Sequence, residues 1–288
     1  MRIAIYGSRR QESCLGPIAE FMDSLQAAGV EVVMHAKLYR HLREVLPEAV
    51  EAVAEVVEGD TFGADLAVSL GGDGTMLRTA LWVGAKQIPI VGFNTGHLGF
   101  LTAEGVGHLP NLLSDLGADR FRIETRTLLE VTSPELAAWC APYALNEITV
   151  GKVENSSMIT AAVAIDGSPL AEYRADGLIL CTATGSTAYN LSVGGPIVQP
   201  TMDVCVLSPV AAHSLSMRPL VVDGNASISI VTKARASHVR LSLDSRSLEI
   251  PVGSCVQVCR APFGVRLLQP VDVTFADRLR DKLHWGES

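Results

Sequence analysis

The chain has 288 residues, of which 48% are hydrophobic and 19% are charged, so it is long enough for two domains and has ample material for a buried core. Its formal net charge of −8 argues against general binding to nucleic acid or to anionic membranes, because both functions need basic patches. No apolar run approaches the roughly 20 residues that span a bilayer, and we expect a cytoplasmic protein without a signal peptide.

Segments with strand and helix character alternate along the first third of the chain. Apolar runs predict strands over residues 3–6, 30–35, 65–70 and 88–92, and helical spacing predicts helices over residues 17–28, 42–57 and 75–83. The second helix is expected either to continue through Pro47 or to restart there, and residues 44–58 are interpreted as a solvated helix face. Strands that alternate with helices imply a parallel sheet with crossover connections. We therefore predict an α/β domain with a parallel sheet over residues 1–120.

The character of the chain changes near Phe121. Short strand-like segments then follow one another, separated by turn signals such as Asp166-Gly167 and Asp223-Gly224. We predict a second, all-β domain over residues 121–267. The last segment, residues 275–285, is again helical and is expected to return to the first domain, which residues 268–288 would complete.

The six cysteines carry no recognisable metal or redox pattern. They form no Cys-x-x-Cys pair, and no cluster of His or Cys completes a zinc site. We predict reduced thiols that serve as small apolar residues. The six are Cys14, Cys140, Cys181, Cys205, Cys255 and Cys259.

A glycine-rich turn, Gly71-Gly72-Asp73-Gly74-Thr75, directly follows the predicted strand at 65–70 and precedes a helix. Open α/β sheets bind ligands at the carboxyl ends of their strands, and glycines allow backbone N–H groups to approach phosphate oxygens. Asp73 would repel phosphate, so it needs another role: it accepts the proton of an attacking hydroxyl, binds Mg²⁺ or caps the helix. The turn lacks the Lys-Ser/Thr end of a Walker A sequence and the spacing of the dinucleotide fingerprint.

Five further segments accompany this turn, in order along the chain. They are GFNTGHLGFLT at 92–102, Asn146-Glu147, RADGLILCTATGSTAY at 174–189, GGPI at 194–197 and HSLSMRP at 213–219. Together with the turn they resemble the NAD kinase family, of the bacterial ATP-dependent type, from about Ile3 to Trp285. His97 and His213 lie within these segments and are interpreted as structural residues.

The resemblance implies an α/β first domain, a β-sandwich second domain and a C-terminal segment that returns to the first domain. It also implies a reaction, in which the γ-phosphoryl group of ATP is transferred to the 2′-hydroxyl of the adenosine ribose of NAD. NAD and ATP are therefore the expected partners. Mg²⁺ or another divalent cation would accompany ATP, and a homo-oligomer, either a dimer or a tetramer, is expected.

Residue roles follow from the same resemblance. Asp73 would be the general base on the 2′-hydroxyl, with Gly74 beside the same nucleotide. Asn146 and Glu147 would bind the ribose and the nicotinamide side. Asp176 would accept hydrogen bonds from the nicotinamide carboxamide, in its own or a neighbouring subunit's site, because a carboxamide offers two donors. The adenosine pocket would be formed by Thr187, Ala188, Tyr189, Asn190, Leu191 and Ser192.

Candidate cations and further contacts complete the expected site. They are Arg78, Phe93, Lys152, Arg174 and Arg246. Arg174 matches a position that is often basic in the family and close to phosphate, where charge neutralisation matters most. The chain departs from the family pattern in two places. Cys181 and Ala183 replace the usual Ser and Pro, and Ser245-Arg246 replaces Gly and an amide, which puts the contact near Arg246 in doubt.

Two other functions compete on the sequence alone. Related glycine turns occur in lipid and sugar kinases, including diacylglycerol and sphingosine kinases and phosphofructokinase, although the acidic charge balance argues against a lipid kinase. A non-catalytic NAD or NADP sensor could use the same scaffold. The intact Asp73 among its glycines favours an enzyme over a sensor.

Overall fold

The structure, a computed structural model, describes residues 1–7, 14–96, 99–133, 141–153 and 157–286. It divides into two compact units: the first unit comprises Met1–Thr125 and Val265–Ser288, and the second unit comprises Arg126–Gly264. The predicted domain bounds, 1–120 with 268–288 and 121–267, stay a prediction. Within the described residues, no helix combines the length and the apolar character needed to cross a membrane.

The first unit is built on a largely parallel sheet. Its strands are β1 (Arg2–Gly7), β2 (Glu31–His35), β3 (Val53–Val57), β4 (Leu66–Leu70), β5 (Ile90–Asn94), β6 (Glu104–Gly105), β7 (Phe121–Arg126) and β20 (Val265–Pro270). Its helices are α1 (Leu15–Ala27), α2 (Ala36–Val45), α3 (Asp73–Val83), α4 (Leu112–Gly117) and α6 (Phe275–Leu283). The strand order is β3-β2-β1-β4-β5-β20-β7, with β6 beside β5, and every pair from β3 to β20 is parallel.

The central strands of this sheet are buried on both faces. Every residue of β4 and β5 is buried, which is the pattern of a parallel strand with helices packed on both sides. α1 contributes Ile18, Phe21, Met22 and Leu25 to the same hydrophobic core. The predicted parallel-sheet domain is confirmed.

The helix predicted over residues 42–57 is wrong in its second half. α2 ends at Val45, a short 3-10 turn occupies Pro47–Val50, and Val53–Val57 forms the edge strand β3, parallel to β2. Pro47 lacks the N–H that would continue the helix. Exposed and less exposed residues alternate along β3, as expected for a strand at a sheet edge. The residues interpreted as a solvated helix face therefore include a strand.

The second unit consists of two antiparallel sheets. Its strands are β8 (Leu129–Thr132), β9 (Tyr143–Ala144), β10 (Glu147–Gly151), β11 (Ile159–Ile165), β12 (Ser168–Ala175), β13 (Gly177–Thr182), β14 (Val204–Val210), β15 (Leu220–Asp223), β16 (Ile228–Lys233), β17 (His238–Leu243), β18 (Arg246–Pro251) and β19 (Cys255–Arg260), and α5 spans Tyr189–Ser192. One sheet has the order β15-β14-β13-β10-β17-β18 and the other β12-β11-β16-β19-β8-β9. Both sheets contribute side chains to a single hydrophobic core, so the predicted all-β character is confirmed.

Both faces of strand β13 are buried. Leu178 and Leu180 face the main core of the second unit, whereas Ile179 and Cys181 pack in a smaller cluster that includes Val198. The chain leaves β13 into a 3-10 turn, Thr184–Thr187, and then α5. The segment expected to bind adenosine is therefore anchored to a rigid strand.

The interpretation of the cysteines as small apolar residues holds for three of them and is wrong for one. Cys14, Cys181 and Cys205 are buried free thiols, Cys259 is partly buried, and Cys255 is exposed near the start of β19, where alternate residues face outwards. Cys140 lies outside the described residues. Among the described residues, no three His, Cys, Asp or Glu side chains group as a metal site would require.

Candidate active site

The glycine turn lies in the first unit, between the carboxyl end of β4 and the first residue of α3. Gly71 has a φ of +147°, and a Cβ there would lie 2.4 Å from Oγ1 of Thr75, so the tight turn requires glycine. Its N–H donates to the backbone oxygen of Phe93 on β5 at 2.9 Å, which ties the turn to the neighbouring strand. Gly74 is exposed, and a Cβ on it would meet nothing closer than Arg78 at 3.9 Å. The turn therefore presents open backbone on its outer side.

Asp73 is held by residues 99–102, the end of the GFNTGHLGFLT segment. The N–H of Phe100 donates to its Oδ2 at 2.8 Å, and the N–H of Leu101 donates to its Oδ1 at 3.1 Å. A Cβ on Gly99 would lie only 1.9 Å from Oδ1, so this approach requires glycine. Each carboxylate oxygen has about two acceptor positions, and with the donors among the described residues one position on each remains. Asp73 is thus fixed in direction and still able to accept a hydrogen bond.

The interpretation of Asp73 as a helix cap does not match this geometry. The N-cap position of α3 is Gly72, and no side chain caps the helix there. Asp73 is the first residue of α3, and its carboxylate bonds to the 99–102 segment instead. His97 and Leu98 of that segment lie outside the described residues.

Cations surround the turn from two directions. Arg78 donates to Oγ1 of Thr75 at 3.1 Å and is otherwise exposed beside Gly74. From α6, Arg278 and Lys282 are close enough that the charge of Asp73 acts on both. Burial lowers the pKa of Arg278 and of Lys282, and the negative charge of Asp73 opposes that change in each case. An anion near Asp73 would find positive charge here despite the acidic chain.

The expected contact at Phe93 is placed in the core. Its side chain is 1% exposed and packs in the hydrophobic core of the first unit. Its backbone oxygen supports Gly71, so Phe93 is connected to the glycine turn through the main chain.

In the second unit, Asn146 and Glu147 form a turn that Asp244 organises. The carboxylate of Asp244 accepts N–H groups from Leu145 at 3.0 Å, Asn146 at 2.8 Å and Glu147 at 3.2 Å. Asp244 has a φ of +49°, an orientation that Asp tolerates better than most residues, and its own N–H donates to the oxygen of Glu147 at 2.9 Å. The turn is therefore fixed from both sides, and both of its side chains remain partly exposed.

Glu147 has an unusual electrostatic environment. Burial, together with the nearby charge of Asp244, raises the pKa of Glu147 from 4.5 to about 7, although the N–H of Tyr189 counteracts part of this shift. Oε2 of Glu147 is buried and has no hydrogen-bond partner among the described residues. A carboxyl group in this state can donate a hydrogen bond when neutral and accept one when ionised.

The segment from Thr184 to Ser192 packs directly on the Asn146 turn. A Cβ on Gly185 would lie 2.1 Å from the backbone oxygen of Asn146, so only glycine allows this approach. Within the segment, Thr187 and Ala188 are partly exposed, Tyr189 is 45% exposed, Leu191 is partly exposed and Ser192 is exposed. These side chains are accessible to a ligand.

Asn190 is the exception in this segment, because its side chain is 0% exposed. Its Nδ2 donates to the oxygens of Ser186 and Pro196, both at 3.0 Å, and its Oδ1 accepts the hydroxyl of Ser208 at 2.6 Å. With three hydrogen bonds and no exposed surface, it holds the segment onto β14. This geometry favours a structural role for Asn190 over the expected ligand contact.

Asp176 lines a cavity of about 350 Å³ in the second unit. Its Oδ2 forms an ion pair with Nζ of Lys152 at 2.9 Å, and each side chain is about one-third exposed. The cavity is also lined by Tyr189, Arg240 and Ser242. Two residues predicted to bind NAD, Asp176 and Tyr189, are therefore brought together, and Lys152 neutralises the first of them.

The two remaining arginines have different environments. Arg174 is exposed on β12, and its backbone oxygen accepts the N–H of His213 at 2.8 Å. The guanidinium of Arg246 donates to the backbone oxygens of Ala141 and Tyr143, and it lies close enough to Asp244 for their charges to interact. Arg246 therefore supports β9 and Asp244, whereas Arg174 is accessible.

Two family profiles match two successive parts of the chain. The family profile described as the ATP-NAD kinase N-terminal domain matches residues 7–121, and the ATP-NAD kinase C-terminal domain matches residues 145–269. Together these matches cover most of the chain. The chain belongs to the NAD kinase family.

Individual members of the NAD kinase family align with almost the whole chain. An NAD kinase of Porphyromonas gingivalis is 39% identical over 285 residues, and one of Bacteroides fragilis is 35% identical over 286 residues. In each case the alignment covers 99% of this chain and 98% of the relative. Among solved structures, a yeast NADH kinase complexed with NADH matches with a TM-score of 0.87 and 25% identity, over 100% of this chain and 89% of that chain.

The sequence did not predict three contacts near these candidate residues. They are the bonds of Asp244 to the Asn146 turn and the proximity of Arg278 and Lys282 to Asp73. For Arg278 and Lys282, the sequence offers the helical spacing of residues 275–285 as a signal. Which strand or loop that helix faces depends on tertiary structure.

Proposed function

We propose that Asp73 is the general base of the NAD kinase reaction in this chain. The chain transfers a phosphoryl group from ATP to NAD, as its family does. The observation that carries the proposal is the pair of N–H bonds from Phe100 and Leu101, which orient the Asp73 carboxylate and leave an acceptor position on each oxygen. A general base must be within hydrogen-bond reach of its proton and correctly aimed.

The proposed chemical step is an in-line displacement. The 2′-oxygen of the adenosine ribose attacks the γ-phosphorus of ATP, the bond from that phosphorus to the β,γ-bridging oxygen breaks, and ADP leaves. The hydroxyl proton passes to Asp73, which later releases it to solvent. A divalent cation, Mg²⁺ or another, would enter with ATP and offset the phosphate charge. Gly74 leaves open backbone beside the reacting groups, and Arg78 supplies a nearby positive charge.

For NAD we propose that the second unit supplies most of the binding groups. Asn146 and Glu147 are held in a fixed turn and suit the hydroxyls of ribose, while Asp176 suits the two donors of the nicotinamide carboxamide. The accessible members of the adenosine segment are Thr187, Ala188, Tyr189, Leu191 and Ser192. Arg174, exposed on β12, is assigned to phosphate. Asn190, Phe93 and Arg246 would act through support of the backbone.

Replacing Asp73 by Asn tests the proposal directly. The amide keeps the size of the side chain but cannot take the proton, so we expect kcat to fall by about 10²- to 10⁴-fold. NAD binding, measured by calorimetry, should change little. Asp23→Asn, an exposed carboxylate on α1, is the matched control and should retain full activity. Equal turnover of Asp73→Asn and the unmodified chain would remove Asp73 from the mechanism.

NADH is a second candidate acceptor. The specific observation is the similarity to the yeast NADH kinase, which extends over the whole chain. The comparison of NAD with NADH at equal concentration, with formation of the 2′-phosphorylated product as the readout, distinguishes the two. We propose NAD as the preferred acceptor because the matching family profiles and the relatives from Porphyromonas and Bacteroides are NAD kinases.

Several further expectations stay predictions. They are a homo-oligomeric assembly, either dimer or tetramer, a cytoplasmic location, a β-sandwich arrangement of the second domain, and return of the C-terminal segment to the first domain. The two antiparallel sheets share one hydrophobic core, which supports the β-sandwich arrangement. Val265–Ser288 groups with Met1–Thr125, which supports the return of the C-terminal segment to the first domain.

A further inference from the structure

Helix α6 carries two cations on one face. Arg278 and Lys282 are four residues apart, a spacing that places both side chains on the same side of an α-helix. The helix begins with a capping box in which Thr274 and Asp277 exchange hydrogen bonds, so its first turn is fixed. Arg280 lies on another face and pairs with Asp277. The two cation positions are therefore set by a stable helix rather than by a loop.

Arg278 is connected to Asp73 through a short series of hydrogen bonds. Its guanidinium donates to the backbone oxygen of Thr102 at 2.7 Å and to Oε1 of Gln269, which is 2% exposed. The hydroxyl of Thr102 in turn accepts the N–H of Gly99 at 3.2 Å. Residues 99–102 are the segment that donates to the Asp73 carboxylate. Arg278 thus stabilises the segment that orients Asp73.

Lys282 differs from Arg278 in its contacts. It is partly buried, and within the described part of the chain it makes no hydrogen bond or ion pair. The charges that act on it are those of Asp73, Asp281 and Arg278. Placing an ammonium group partly out of water costs free energy unless an anion meets it. The side chain is therefore positioned for a negatively charged group that comes to Asp73 from outside the chain.

Phosphate is the anion that fits. The glycine turn next to Asp73 exposes backbone without a Cβ, and a lysine ammonium is a compact point charge of the kind that binds phosphate oxygens. We propose that α6 is part of the phosphoryl-transfer site, in which Lys282 binds a phosphate of ATP and Arg278 is a positioning residue for the segment that holds Asp73. This inference rests on the proposed function and adds the C-terminal helix to it.

Replacing Lys282 by Met tests the phosphate contact. A hydrogen bond to a charged group contributes about 1.5–3 kcal/mol, so we expect the KM for ATP to rise about 10- to 100-fold while the KM for NAD stays unchanged. Lys282→Arg should recover most of the loss, because it restores the charge. Arg280→Met, on another face of the same helix, is the matched control and should keep the original KM values.

An unchanged KM for ATP in a folded Lys282→Met variant would overturn the phosphate contact. Calorimetric titration with ATP and Mg²⁺ separates this inference from the proposed function. If the unmodified chain formed no NADP, the proposed function would fail, and weaker ATP binding by the variant would still support Lys282. Equal binding of ATP by both chains would refute it.

Arg278 needs a test that separates positioning from folding. Arg278→Lys keeps a positive charge but loses the planar fork that donates from Nη1 to Thr102 and from Nη2 to Gln269, so kcat should fall about tenfold with both KM values unchanged. Arg278→Ala should recover part of its activity in millimolar guanidinium, which replaces the lost donors. The same kcat in Arg278→Lys and the unmodified chain, or a rise in the KM for ATP alone, would contradict a positioning role. Should Arg278→Ala not fold, the Lys variant still decides.

Discussion

Replacing Gly99 by Ala tests whether the close approach of the 99–102 segment sets the position of Asp73. The added Cβ would lie 1.9 Å from Oδ1 and 2.2 Å from Cγ of Asp73. Ordinary contact between such atoms needs about 3.5 Å, so the two groups must separate by roughly 1.5 Å. The hydrogen bonds from Phe100 and Leu101, now 2.8 and 3.1 Å long, cannot survive a shift of that size. The carboxylate would lose both of its orienting donors.

The shift of the Asp73 carboxylate in Gly99→Ala should lower kcat. A misplacement of about 1 Å costs on the order of 10²-fold in rate, so we expect kcat of Gly99→Ala to fall by about 100-fold. The two lost hydrogen bonds to a charged, half-buried group should also reduce the free energy of unfolding by about 1–3 kcal/mol. KM values for NAD and ATP should change little, because the substitution moves the base and not the binding residues. NADP formation coupled to an NADP-specific dehydrogenase measures the first effect, and urea titration measures the second.

Gly96→Ala is the matched control for this experiment. A Cβ on Gly96 would meet only Oδ1 of Asn94, at an ordinary 3.8 Å, so the same change three residues away is expected to keep activity within about twofold. Full activity in a folded Gly99→Ala variant would refute the reasoning, since the observed orientation of Asp73 would then be irrelevant to turnover. A loss as large in Gly96→Ala would also contradict the reasoning, because the effect would then not depend on contact with Asp73.

Three predictions concern the second unit. Because the folded-state pKa of Glu147 is about 7 and the unshifted value is 4.5, the folded chain keeps a proton that the unfolded chain releases, and its free energy of unfolding should fall as the pH rises from about 4.5 to 7. Urea titrations across that range should show a flatter pH dependence in Glu147→Gln, and an identical slope would contradict the assignment. Asp244→Asn leaves one of three N–H groups without an acceptor and should raise the KM for NAD more than it lowers kcat, with Ser245→Ala as the unaffected control. Asn190→Ala should lower the free energy of unfolding by about 2–4 kcal/mol, and normal stability with lost NAD binding would instead make Asn190 a ligand contact.

Much of the fold was predictable because its periodicity is strong. The buried run at β4 and the helical spacing of α1 are long and unambiguous signals, and both predictions agree with the structure. The helix prediction for residues 42–57 failed in its second half because Ala and Glu favour helices, while the alternation that marks β3 spans only five residues. The decisive influence on Val53–Val57 is pairing with β2, a tertiary interaction that its own residue types do not reveal.

The site was predictable where a motif marks it and not where burial decides. The glycine turn predicted that Asp73 lies between a strand and a helix, and the structure agrees, because glycines and a carboxylate form a local signal. Asn190 belongs to an equally clear motif, yet its full burial and its bond to Ser208 arise from packing against β14. Lys282 belongs to no sequence motif. Its proximity to Asp73 depends on how α6 packs, as in the bond from Arg278 to Thr102.

Asp73 and Asp244 both accept hydrogen bonds from backbone N–H groups, but they differ in the number of donors. Asp244 accepts three N–H groups from one tight turn, and burial raises its pKa even though those N–H groups oppose the change. Asp73 accepts two, one on each oxygen, and both aspartates are partly exposed. A carboxylate with one donor on each oxygen is fixed in direction and can still receive a proton. A carboxylate that accepts three donors is committed to the backbone. This difference supports the proposal of Asp73 as the general base, with Asp244 as the residue that fixes the Asn146 turn.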